Sequence, residues 1–323
     1  MTTYRSDLQR AWDRINSVAA GSLQASFGTM QYAETGEGLP LLVSHGVLGC
    51  HVDGVDGWWS TLWGPGFRII APARFGYFDS TLPPDATPAD QADAYALLLD
   101  HLEVERAVVA DFSAGSGSVL EFGLRHPDRT VALILANCRL GGGVTTSRAL
   151  MPLFRLAYRA DGLFWLFKRL LPAAYSRMMG APKGYRPTAE DAQVLKGIRE
   201  LLFPLKPRRN GAVFDGFVSN LAADRFPLEE LKVPTLVISA KDGSSGAPSI
   251  RRPSGRAHPG REVRGDRRRR PSVPRARRRG PQGGQRVRCI GPGEPGQVKR
   301  LQRARACAAR APPSSSPPTA VAT

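Results

Sequence analysis

Five short, unbroken apolar runs constrain this chain more than any other feature. They are Pro40 to Ser44 (P-L-L-V-S), Phe67 to Ala71 (F-R-I-I-A), Arg106 to Ala110 (R-A-V-V-A), Val131 to Ala136 (V-A-L-I-L-A) and Thr235 to Ser239 (T-L-V-I-S). Each has the length of a strand and lacks the strict apolar–polar alternation of a strand with one wet face. Such runs mark strands of a parallel sheet covered on both faces. Ala25 to Tyr32 alternates instead and predicts a half-exposed antiparallel edge.

Helical patterns fill the intervals. Thr87 to Leu102 opens with Thr87 as N-cap, Pro88 at the first helical position and Asp90 three residues after the cap, then lays Tyr95, Leu98, Leu99 and Leu102 on one face. Ala114 to Arg125 predicts a second helix directly after a strand. This alternation predicts an α/β fold, a mostly parallel sheet with helices on both faces. From 144 to 226 it is interrupted by helical patterns at Leu150 to Tyr158, Leu163 to Tyr175, Ala189 to Leu202 and Phe214 to Leu221, which read as an inserted cap. The chain thus divides into a first part of the core (1–143), a helical cap (144–226), a last core strand (227–242) and a tail (243–323).

Charge separates that tail from the rest. The formal net charge is +17, yet residues 1–242 hold 25 Lys+Arg against 25 Asp+Glu, so the excess lies in the tail, with 20 against 3. The tail has no Phe, Trp or Tyr and one leucine, Leu301. It cannot bury enough apolar surface to offset the entropy of ordering it, and is expected to be disordered. Two accounts compete for it. Its Arg, Pro, Gly, Ser and Ala all have GC-rich codons, as an out-of-frame stretch of a GC-rich gene would; alternatively it is a basic arm for nucleic acid or an acidic surface. With no aromatic to stack on bases, nucleic acid is the less favoured partner. With no strand expected after it, Thr235 to Ser239 should form an open sheet edge.

Cys50, Cys138, Cys289 and Cys307 show no paired spacing, so neither a disulfide framework nor a metal site is expected, and no cofactor is implied. Met1 to Ser17 lacks the apolar stretch of a signal peptide, and no run approaches a membrane span. The expectation is a cytoplasmic protein with a small-molecule substrate and no membrane partner.

Two segments could carry chemistry. After the third apolar run the chain reads Asp111-Phe112-Ser113-Ala114-Gly115 and enters a helix. A strand, a tight turn bearing Ser and a helix form a nucleophile elbow, which lifts the hydroxyl above the carboxyl end of the sheet. The residues two before and two after the Ser must be small; Gly115 is, while Asp111 stands where Gly is usual. The second segment is His45-Gly46-Val47-Leu48-Gly49, directly after the first run. A Gly-rich loop there can aim a backbone N–H at a developing oxyanion, and Val47 and Ala114 are the candidate donors. The same His45-Gly46 pair also suits a plain chain turn.

With these segments in place, residues 25–242 resemble the α/β-hydrolase superfamily. The likeness rests on G-x-G-x-P-L-L-V-x-H-G (Gly36 to Gly46), A-x-x-R-F-G-Y (Ala71 to Tyr77), the helix from Pro88 to Asp100, the elbow, L-R-H-P-D-R (Leu124 to Arg129) and V-P-T-L-V-I-S-A-K-D (Val233 to Asp242). The resemblance implies Ser113 as nucleophile and Asp242 as the acid after the strand that follows the cap. Ser at the nucleophile position sets the chain apart from the haloalkane dehalogenase and epoxide hydrolase branches. It also implies a histidine base some way beyond Asp242, and the downstream sequence offers only His258, with no strand before it. His51, near the mouth of the site, is a weaker substitute; His101 and His126 sit at helix ends. The cap's apolar residues, Phe154, Leu156, Tyr158, Leu163 to Phe167, Tyr175, Met178 and Met179, imply a pocket for a small or medium apolar ester, lactone or related acyl compound. They serve equally to hold the cap on the sheet, as do Trp58, Trp59 and Trp63. Gly141 to Gly143 suits a flexible entry into the cap. The implied function is that of a serine hydrolase with impaired activity, or else of a non-catalytic relative.

Overall fold

Hydroxyl and carboxylate side chains set the starts of two of the longer helices. The computed structural model describes residues 2–56, 63–137, 148–178, 181, 184, 187–219, 226–238, 261–262 and 287–290. Helix α1 (Tyr4–Asn16) opens with a capping box in which the Ser6 N–H donates to Thr3 Oγ1 at 3.2 Å and the Thr3 N–H to Ser6 Oγ at 3.1 Å. Strands β1 (Ala20–Ala25) and β2 (Gly28–Thr35) follow as an antiparallel hairpin, pairing Leu23 with Met30. The alternating stretch from Ala25 to Tyr32 is therefore a turn and a strand. Gly28 decides this, because its φ of +109° suits glycine and an added Cβ would stand 2.5 Å from Thr81 Oγ1.

The apolar runs become β3 (Leu39–Ser44), β4 (Phe67–Pro72), β5 (Ala107–Phe112), β6 (Thr130–Ala136) and β7 (Thr235–Ile238). Between them lie α2 (His51–Val55), α3 (Pro88–His101) and α4 (Ser116–Arg125). The sheet order begins β1-β2-β4-β3-β5-β6-β7; β2 is antiparallel to both neighbours and every later pair is parallel. Leu42, Ile70, Val109, Leu133 and Val237 bury on one face against Tyr95, Leu98 and Leu99 of α3 and Val119, Leu120 and Phe122 of α4. Leu41, Val43, Ile69 and Val108 bury on the other with Trp63. Adjacent residues such as Leu41 and Leu42 thus meet opposite cores, which is why the runs do not alternate.

The β7 edge differs from expectation. Among the described residues of the tail, β8 (Arg261–Glu262) and β9 (Val287–Ile290) extend the sheet, with β9 parallel to β7 and Val237 opposite Cys289. The pairing satisfies main-chain groups that an edge would leave open. The other tail residues lie outside the described set.

Helices α5 (Met151–Ala157), α6 (Asp161–Leu170), α7 (Pro172–Met178), α8 (Ala189–Leu201) and α9 (Arg209–Phe214) stand between β6 and β7. The run from Leu163 to Tyr175 is divided at Leu171, because Pro172 has no N–H to continue a helix. The last helix starts earlier than its pattern suggests and widens into a π-turn at Asp215–Ser219. The predicted cap of α3 forms: the Asp90 N–H donates to Thr87 Oγ1 at 3.2 Å and the Thr87 N–H to Asp90 Oδ2 at 2.8 Å. Replacing Thr87 with Ala is expected to lower stability by about 1 kcal/mol, read as a lower urea midpoint at unchanged slope.

Candidate active site

The elbow forms at the end of β5. Ser113 has a φ of +55°, in the left-handed region that a non-glycine residue seldom adopts, and opens a single 3-10 turn (Ser113–Gly115) before α4. The turn brings the chain sharply back over the strand end, leaving Ser113 partly exposed while Ala114 is buried. Space dictates the following glycine: a Cβ on Gly115 would stand 2.8 Å from the Ser44 carbonyl oxygen and 3.0 Å from that of His45. Contact from the facing loop is equally close. A Cβ on Gly46 would lie 3.0 Å from the Phe112 carbonyl oxygen and 3.5 Å from Ser113 Cβ, so the His45 to Gly49 loop lies against the elbow, with Val47 half-buried within it.

Asp111 occupies the position where glycine is usual without crowding the turn. Its side chain is buried and accepts the Ala136 N–H of β6 at 2.8 Å and the Ser116 hydroxyl, which also donates to the Ser113 carbonyl oxygen at 2.5 Å. Burial pushes its carboxyl up to about 7, against the opposing pull of these two donors.

A buried ion pair holds the loop. Arg74, just after β4, donates to Asp215 in the π-turn through Nη1 at 2.9 Å and Nη2 at 2.6 Å, both residues being essentially inaccessible. The Tyr77 hydroxyl donates to the same carboxylate at 2.5 Å and accepts the Leu48 N–H at 3.3 Å. Arg74 Nη1 also reaches the His45 carbonyl oxygen at 3.3 Å. Burial works against the guanidinium charge, but Asp215 together with Tyr95 and Tyr77 more than offsets it and keeps Arg74 protonated. Arg74 and Tyr77 lie in the motif from Ala71 to Tyr77, but the sequence assigned them no role. Asp215 was overlooked altogether; its one signal was a lone carboxylate in the apolar stretch G-A-V-F-D-G-F-V.

Among the described residues no histidine is hydrogen-bonded to Ser113; His45, His101 and His126 have other partners, and His51 Nδ1 is buried without one. His45 Nε2 accepts the Arg74 N–H at 3.0 Å while Nδ1 pairs with the Gly46 carbonyl oxygen at 2.8 Å, which places the ring proton on Nδ1. Burial, then Arg74, holds its pKa well below the usual value. His51 is buried with its ring edge-on to Phe78, and burial with Arg208 nearby lowers it to about 4. His101 meets the Tyr32 hydroxyl at 3.3 Å, and His126, which ends α4, meets Asp93 at 2.8 Å. Asp242 and His258 lie outside the described residues, as do Trp58, Trp59, Met179 and Gly141 to Gly143. Trp63 belongs to the core of the sheet.

A strand-turn-helix elbow on a mostly parallel sheet, faced by a glycine-bearing loop, defines the α/β-hydrolase fold. Similar proteins agree. The chain is 30% identical over 155 residues to the "uncharacterized hydrolase YcgS" of Bacillus subtilis, covering 47% of this chain and 54% of that protein. It is 27% identical over 219 residues to a 2-hydroxymuconate semialdehyde hydrolase of Pseudomonas putida, covering 65% of this chain and 72% of the relative. Among solved structures, an α/β-hydrolase fold protein from Nakamurella multipartita superposes with a TM-score of 0.50 at 24% identity, over 70% of this chain and 83% of the other. No family model matches. The chain spans about half or less of the length of the first curated relatives it matches. Its fold is that of the α/β-hydrolases.

Two measurements test these electrostatics. Asp111 has a raised folded-state pKa, so its stabilising share is complete below the unfolded carboxylate value and is lost as pH rises through about 7. Asp111→Asn should therefore gain stability relative to wild type between about pH 4 and pH 7, as urea titrations at several pH values would show. Asp215→Ala strands the buried Arg74 charge and should cost about 3–5 kcal/mol. Asp93→Ala, which removes the solvent-accessible contacts with Arg125 and His126, should cost less than about 1 kcal/mol.

Proposed function

We propose that this chain is a cytoplasmic serine hydrolase, needing no cofactor, for a small or medium apolar ester or related acyl substrate, and that its activity is impaired. The observation carrying this reading is the left-handed Ser113 on the elbow with the His45 to Gly49 loop against it. Strained non-glycine residues of this kind persist where the surrounding structure over-determines them, and they cluster at active sites. In this reading Ser113 Oγ attacks the substrate carbonyl, and the N–H groups of Val47 and Ala114 receive the charge developing on its oxygen. Asp242 would orient a histidine to take the Ser proton and return it to the leaving group, and none of the described histidines fills that place.

Impairment follows from the commitments of the described histidines. An elbow and oxyanion donors without a base still leave about 10³–10⁴-fold catalysis over water. The helices between β6 and β7 form the cap, and Phe154 against Phe217, with ring centroids 5.5 Å apart, supports an apolar acyl group beneath it. The Pseudomonas putida relative, named for a semialdehyde, supports a small carbonyl compound. The same engagement of the histidines favours one alternative, a non-catalytic member of the fold whose basic tail binds an acidic surface.

A fluorophosphonate probe should label wild type and leave Ser113→Ala unlabelled, and release of chromophore from a short-chain ester should be slow and vanish in the same variant. Equal labelling of the two proteins would overturn the nucleophile assignment.

A further inference from the structure

Helix α6 carries a broad apolar arc, only one flank of which is covered. Phe164 and Phe167 turn inward, their ring centroids 6.0 and 6.2 Å from that of Tyr175, in a cluster with Leu48, Leu202 and Leu205. Leu163, Leu166 and Leu170, at the i, i+3, i+7 spacing of one helix face, lie on the adjoining flank and are 70%, 41% and 64% exposed. The neighbouring helices repeat the pattern. Leu153 and Leu156 of α5 are 60% and 63% exposed, and Leu171 and Met178 at the two ends of α7 are 55% and 53% exposed. An amphipathic helix buries its apolar face in a core; leucines left exposed along its flank and on both neighbouring helices call for another apolar medium.

Charge identifies that medium. Arg155, Arg159, Arg169 and Arg177 are exposed among these leucines, while the one acidic residue of the segment 149–178, Asp161, accepts the N–H groups of Leu205 at 2.6 Å and Lys206 at 3.1 Å. A second copy would set arginines against arginines. The tail, with its net charge of +17 and single leucine, fits no better. An acidic protein partner would call for aromatic anchors, and Phe164, Phe167 and Tyr175 all face inward while Phe154, 37% exposed, packs edge-on to Phe217. Outward leucines interspersed with long cationic side chains are the composition of helices that lie in a lipid interface, the leucines entering the acyl boundary and the arginines meeting headgroups.

The geometry points to the outer face of α5, α6 and α7 as a docking surface for an anionic lipid bilayer. Among the described residues no helix is long and apolar enough to cross a membrane, and this mode of attachment requires none. The surface is independent of whether Ser113 reacts. On an anionic leaflet, each arginine near the surface adds to the attraction.

The test is flotation of the full chain with vesicles of phosphatidylcholine alone and of phosphatidylcholine with phosphatidylglycerol. Leu156→Ser/Leu163→Ser serves as the comparison because it alters exposed apolar residues and leaves every charge, the tail included, in place; circular dichroism checks that it folds. Wild type should float with the phosphatidylglycerol vesicles and not with phosphatidylcholine alone, and the double variant should bind them at least about tenfold more weakly. Equal binding of the two proteins would assign attachment to the tail and overturn the proposal, as would failure of wild type to float. A wild-type dimer that the double variant converts to monomer, without vesicle binding, would make the face an interface between two copies instead.

Discussion

The contact on which the site depends is the buried pair of Arg74 and Asp215. It joins three segments distant in sequence: the end of β4, the loop after β3 and the π-turn that leads back towards β7. Two charges taken from water into the interior carry a large desolvation cost, offset only when their hydrogen-bonding groups are well matched. Here the carboxylate accepts two guanidinium N–H groups and a tyrosine hydroxyl, and the guanidinium also reaches a carbonyl oxygen of the facing loop. The helical insertion and the loop opposite Ser113 are thus held by a common anchor.

The elbow is held in a different way, by steric fit. A left-handed serine carries strain, and the packing around it leaves no alternative path: Gly115 lies against the carbonyl groups of Ser44 and His45, and Gly46 against that of Phe112. Asp111, which looks wrong for such a turn, is accommodated because its side chain lies toward β6 and finds a backbone N–H and a hydroxyl there. The penalty appears in its pKa, raised by burial.

The helical insertion combines these two roles with a third. Its inner side closes over Leu48 and Tyr175, its return supplies Asp215, and its outer side presents leucines and arginines to whatever lies above. A segment serving both a core and an outer surface has to be apolar twice over, which explains a composition that otherwise looks like that of a fully buried helix.

The strands, their mostly parallel arrangement, the capped start of α3 and the elbow were legible in the sequence. Each rests on local pattern: unbroken apolar runs, Thr87 with Asp90, and a serine between strand and helix. The division of the long run at Pro172 was written there too, since a missing N–H is a property of one residue. The pair between Arg74 and Asp215, the locked tautomer of His45 and the tolerance of Asp111 were decided only by the tertiary structure. They depend on groups brought together across as many as 141 residues, and on burial, which sets the energy of a charge without leaving a mark in the nearby sequence.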